Sequence, residues 1–162
     1  MGNNKYLKLH SFLRYGAALI AIIVFISMFI TKQLVHADNS RLFIEWQGAF
    51  FGDSDIGTKA TVLGFIGYLF VFIGGLAGLA FVFIDEIIGK DLTKKLAFVA
   101  GGVMVLGGVF MLLTGAIFRG ANSDFWGIND YRLAAGPIVY AILSMIAGAA
   151  NCAAPILEDK GY

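Results

Sequence analysis

The stretch Ala60–Ile84, ATVLGFIGYLFVFIGGLAGLAFVFI, runs for 25 residues without a formal charge. A hydrocarbon core about 30 Å thick is crossed by roughly 20 apolar helical residues, so this segment spans a bilayer with some tilt. A strand reading fails, because barrel strands are about 10 residues long and alternate in polarity, whereas this run is uniformly apolar. A helix satisfies its own backbone in lipid. Working outward, three more runs have the same character: about Phe12 to Thr31, Leu96 to Phe118 and Leu133 to Ala154. Their flanks carry Asp85-Glu86, Lys94-Lys95, Arg119, Arg132 and Glu158, and Arg14, near the start of the first, is placed where a long side chain reaches the headgroups. The expected fold is an all-α integral membrane protein: one domain over 1–162, a left-handed bundle of four transmembrane helices with spans about 12–31, 60–84, 96–118 and 133–154, and a 28-residue outer loop, Lys32 to Lys59, between helices 1 and 2.

Composition agrees. Of 162 residues 59% are apolar and 14% charged, against about 25% charged in soluble domains, so the chain lacks the charge to coat a water-exposed surface. A net charge of +1 provides no field for DNA or RNA, and nucleic acid is excluded as a partner. Cys152 is the only cysteine and cannot form an internal disulfide; two histidines without cysteine partners do not make a structural zinc site. A cleaved leader is the alternative for the first span, with Val35-His36-Ala37 as its cleavage site. The apolar run exceeds the usual 7–15 residues and Lys32 intervenes, so retention is expected.

Lys and Arg set the expected orientation. Seven (Lys5, Lys8, Arg14, Lys90, Lys94, Lys95, Lys160) fall on the side of the termini and the 85–95 loop, against five on the other, which places both termini in the cytoplasm. Trp46 and Trp126 then lie in the outer loops as interfacial aromatics.

Because lipid supplies no apolar driving force between helices, small residues must let backbones approach. Gly74 and Gly78 form a GxxxG pair, with Gly67 one heptad before Gly74. Gly101, Gly108 and Gly115 recur every seven residues with Ala97 one turn earlier, and Ser144, Gly148 and Cys152 repeat at spacing four. These are the expected helix-packing positions of spans two, three and four.

Chemistry is sparse by comparison. The deep spans hold no ionisable carboxylate or base for a proton relay. His10 and His36 lie at opposite sides of the membrane, which excludes a two-histidine haem, and no cofactor or metal is expected. Lys8–Arg14 reads as an interfacial anchor, Asn151 as a helix-to-helix hydrogen-bonding residue, and Asp53-Ser54-Asp55 as a solvated turn. No nucleophile elbow, P-loop or HExxH motif occurs, so an enzyme is not expected. The long outer loop is the distinctive element: Leu42, Phe43, Trp46, Ala49, Phe50 and Phe51 recur at helical spacing and predict an amphipathic segment. Trp46, Phe50, Phe51 and Trp126 are the expected outer-loop contact residues.

Gly101-Gly102-Val103-Met104 through Gly115, then Phe125-Trp126, then Tyr131 leading through Gly136-Pro137 to Gly148 and Cys152, resembles the third span, second outer loop and fourth span of the claudin and peripheral-myelin-protein superfamily, whose architecture MARVEL-type tetraspans share. That family's first outer loop carries Gly-Leu-Trp followed by two disulfide-bonded cysteines; here Glu45-Trp46-Gln47 stands in a loop without cysteine. The resemblance implies lateral self-association, outer-loop contacts and no catalysis. The expected function is thus a non-enzymatic tetraspan in assembly or scaffolding of a membrane complex. Its partners would be the bilayer and copies of itself or other integral membrane proteins. A protomer of an oligomeric channel, or an accessory subunit of a transporter, is the alternative.

Overall fold

A computed structural model describes residues 8–55, 57–124 and 127–160. Its helices are α1 (Leu9–Ile30), the short α2 (Trp46–Phe51), α3 (Leu63–Ile88), α4 (Lys90–Ala121) and α5 (Ala135–Asp159). The four long ones have the length and composition to cross a membrane, which fits a multi-pass integral membrane protein. They form a ring in which α1 packs on α3 and α5, and α4 packs on α3 and α5 from the opposite corner.

Helix ends follow hydrogen bonding rather than the first charge. α1 stops where Thr31 returns both its N–H (3.0 Å) and its hydroxyl (2.7 Å) to the Ser27 carbonyl. The loop expected over 85–95 shrinks to one residue, because charges outside hydrocarbon do not stop a helix: α3 continues to Ile88 and α4 starts at Lys90. Gly89 between them has φ +87°, a conformation that glycine enters at no steric cost. Thr93 secures the new start, donating from its N–H (3.1 Å) and hydroxyl (3.0 Å) to the Gly89 carbonyl. With 32 residues and a rise of about 1.5 Å each, α4 is longer than the hydrocarbon is thick, and its charged first turns project beyond it.

The inner stripe of α4 has a strict heptad form: Gly101, Gly108 and Gly115 alternate with Met104, Met111 and Phe118, all three of the larger residues fully buried. Ala17, Ala21, Val24 and Met28 of α1, Tyr68 and Val71 of α3 and Ala141 and Ala147 of α5 complete the core. The outward faces carry exposed large apolar residues such as Leu19, Ile73, Val99 and Ile146, as lipid contact requires.

One element departs from the all-α expectation. Three short antiparallel strands, β1 (Leu34–His36), β2 (Phe43–Ile44) and β3 (Tyr131–Leu133), form a sheet of order β2-β1-β3. Leu34 faces both Ile44 and Leu133. The amphipathic segment predicted over Leu42–Phe51 is correspondingly divided into β2 and the six-residue α2. Strands of two or three residues are too short to show alternation, and the sheet is completed by β3, far along the chain. Together with the 3₁₀ turn Ile128–Asp130, these elements make a crown over one end of the bundle.

Candidate functional site

The small residues singled out in the sequence lie at helix crossings, Gly115 excepted, which meets strand β3. A β-carbon on Gly101 would sit 2.5 Å from the Gly148 carbonyl oxygen, and one on Gly148 would sit 2.6 Å from that of Gly101, so α4 and α5 touch backbone to backbone. Gly108 faces the Ala141 carbonyl (2.7 Å) and Gly115 faces Leu133. Across the other seam Gly67 meets the Gly107 carbonyl at 2.7 Å and Gly74 meets that of Ala100 at 2.7 Å. Ala97 is fully buried in a smaller cluster with Phe81, and Ser144, also buried, donates to the Tyr140 carbonyl (2.7 Å). Gly75, which packs on Ala21 and Ala17 of α1, and Gly107 went unnoticed in the sequence: Gly75 and Gly107 flank the heptad glycines and break their period.

Gly78 serves a diagonal contact instead. It receives the Asn151 amide, which is fully buried; its Nδ2 reaches only the Met104 sulfur (3.9 Å), and its Oδ1 lacks a hydrogen-bond partner. The helix-to-helix bond expected of Asn151 is therefore a weak one to sulfur, because the facing surface is glycine backbone already bonded within α3.

At the crown end a buried Gln33 joins four elements. Its Nε2 donates to the Met28 carbonyl at the end of α1 (3.2 Å), its Oε1 accepts from the Tyr68 hydroxyl of α3 (3.2 Å), its N–H bonds the Ile44 carbonyl (3.0 Å), and its carbonyl accepts from Ala134 at the start of α5 (2.9 Å). Asn122 does the same for α4, donating to the Phe118 carbonyl (2.9 Å) while its Oδ1 accepts from the Lys59 N–H (2.5 Å). Neither residue has a periodic signal. Phe50, expected as an exposed contact residue, is fully buried between the crown and α3, against Tyr68 and Phe65. The reason is that the strand in front of α2 turns its apolar face inward. Trp46 is half-buried against Phe29, and Phe51 is half exposed beside it. Trp126 lies outside the described residues. Leu42 (49% exposed) and Phe43 (40%) take the outward place, at the free edge of the sheet beside a cleft of about 320 Å³.

The opposite end holds a buried arginine in an ion pair. Arg14, read as reaching the headgroups, is 2% exposed: it turns into the bundle, where its Nη2 lies 3.4 Å from Glu158 Oε2 of α5. An arginine this far inside a helix end cannot extend to water when α5 brings a carboxylate to it. The adjacent Asp159 pairs with Lys94 of α4, so consecutive carboxylates fasten the end of α5 to α1 and to α4. Around Arg14 a pocket of about 190 Å³ is lined by Ser11, His10, Lys8, Glu86 and Lys90, with Ser11 and His10 buried. Of the segment Lys8–Arg14, read as an anchor, four residues (Lys8, His10, Ser11 and Arg14) line this pocket. Among the described residues no three His, Cys, Asp or Glu side chains come together as a metal ion needs.

The chain matches no family model, no curated protein and no solved structure.

Proposed function

We propose that this chain is a non-catalytic tetraspan that assembles membrane complexes, through copies of itself or other integral membrane proteins, with its termini in the cytoplasm and its crown outside. The left-handed packing sense goes with the heptad of glycine and large residues on α4. The observation that carries the reading is the crown: fastened to the bundle through Gln33, Asn122 and Phe50, it holds Leu42, Phe43 and Phe51 outward as a fixed apolar edge. Exposed apolar surface rimmed by polar residues is characteristic of interaction sites, and a rigid scaffold lowers the ordering cost of binding. The resemblance to claudin-like tetraspans, carried by Gly101 through Gly115 and by Gly136-Pro137 to Gly148 and Cys152, would imply the same use of outer segments for contact.

A membrane-impermeant amine crosslinker added outside intact cells reaches the crown lysines Lys32 and Lys59. It should capture the wild-type chain in a discrete adduct, and Leu42→Ser/Phe43→Ser should lose that adduct while remaining monodisperse in detergent. An adduct of undiminished yield in the double variant overturns the reading, as does capture only from the opposite face of inverted vesicles. Solute release from vesicles by the purified chain would favour the channel instead.

A further inference from the structure

We propose that two copies of this chain join through the free edge of the crown sheet, β2 pairing antiparallel with β2 of the second copy across a two-fold axis at Phe43. The inference rests on the crown as the contact surface, and adds which partner meets it and in what register. Among the described residues, one edge of the sheet is covered and the other is open. At the β3 edge Arg119 donates to the Tyr131 carbonyl (2.9 Å), and Leu133 packs on Gly115 of α4. β2 has β1 on one side alone. Its ladder to β1 runs through the His36 N–H on the Leu42 carbonyl (3.0 Å) and through the Leu34–Ile44 pair; antiparallel bonding alternates, so the N–H and carbonyl of Phe43 point away from β1. Backbone groups left open at a sheet edge are a template for another strand.

The sequence at that edge is its own complement. Arg41-Leu42-Phe43-Ile44-Glu45 read against itself in reverse sets Phe43 opposite Phe43, Leu42 opposite Ile44, and Arg41 opposite Glu45 on both sides of the axis. Arg41 and Glu45 are exposed, and among the described residues neither forms an ion pair within its own chain. Opposite charges directly across an antiparallel pair attract and like charges there repel. A two-fold contact requires a surface complementary to itself, which this charge order provides. The arrangement also suits two proteins in one membrane. Leu34 and Ile44, on the inner face of the sheet, belong to the core of the bundle, so an axis perpendicular to the sheet leaves both bundles on the same side of the joined sheet. Lys32, whose Nζ lies 4.1 Å from the centre of the Phe43 ring, then stands beside the axis.

Sedimentation equilibrium of the purified full-length chain in density-matched neutral detergent measures the monomer–dimer constant. The wild type should dimerise. Arg41→Glu and Glu45→Arg each set like charges opposite one another twice, and each should weaken dimerisation about tenfold or more with the melting temperature of the monomer unchanged. Arg41→Glu/Glu45→Arg in one chain should restore it, and so should an equimolar mixture of the two single variants, whose edges complement each other. In liposomes an amine crosslinker should yield Lys32 joined to Lys32 of the second copy, a product that a single chain cannot make. A monomeric wild type, single variants that dimerise as the wild type does, a double variant or mixture no better than the singles, or liposome adducts lacking the Lys32-to-Lys32 link overturns the proposal. Loss of the cell-surface adduct in Leu42→Ser/Phe43→Ser alongside any of these results would keep the crown as a contact surface and assign it to a different membrane protein, so the two readings fail separately.

Discussion

The two ends of this bundle are closed by different physics. At the crown end the buried part of the joint is neutral: Gln33 and Asn122, both nearly inaccessible, bond backbone carbonyls and N–H groups, Phe50, Leu34 and Ile128 seal the interior around them, and the ion pair Lys59–Asp124 stays at the exposed surface. At the opposite end it is ionic: Arg14 with Glu158 and Lys94 with Asp159. A neutral bond of fixed geometry makes a rigid platform, which suits a surface meant to be recognised. Charges act over longer range and keep interacting when their geometry shifts, so the ionic joint tolerates small movements of the helix ends. The same helices thus present a stiff end and an electrostatically adaptable one.

Removing the neutral joint should have the largest effect. Gln33→Ala strands the Tyr68 hydroxyl and the last carbonyls of α1 and leaves a void, at a cost of roughly 2–4 kcal/mol. Hydrogen exchange should show the amides of β1 and β2 losing protection while those of α4 keep theirs; equal loosening of both would mean that the crown and bundle are one cooperative unit. Arg14→Leu comes next. It leaves Glu158 beside an apolar side chain, although the pocket gives that carboxylate a route to water, so about 1–3 kcal/mol is expected. Adding Glu158→Leu should restore most of the loss, since a buried pair often contributes little net stability over apolar residues of similar volume. If the double variant is as unstable as the single one, the pair is more than a mutual neutralisation. Lys94→Gln should have the smallest effect, a slight fall in melting temperature at low ionic strength that vanishes at high salt, because its partner Asp159 is 57% exposed. A fall that persists in high salt would make the ionic end as stiff as the neutral one.

The helix seams stand between these ends and were the most legible part of the molecule. Gly67, Gly74, Gly101, Gly108 and Gly148 occur at spacings that mark one helix face, and that face meets a neighbouring backbone. Gly75 was harder to see, since it sits beside Gly74 but serves α1 rather than α4, and a single stripe does not describe a helix packed on two sides.

The sequence by itself determined the four spans, their order and the close approach of α3, α4 and α5. Each is a local matter: a charge-free run long enough for hydrocarbon, and small residues at regular intervals along one helix. Only the tertiary structure decided the rest. The sheet joins Leu34 with Ile44 and with Leu133, and the buried ion pair joins residues 144 positions apart. It also turned Phe50 inward and Arg14 into the bundle toward Glu158. A side chain's burial at a helix end or in a short strand depends on what the fold brings opposite it, and no periodicity within its own segment encodes that partner.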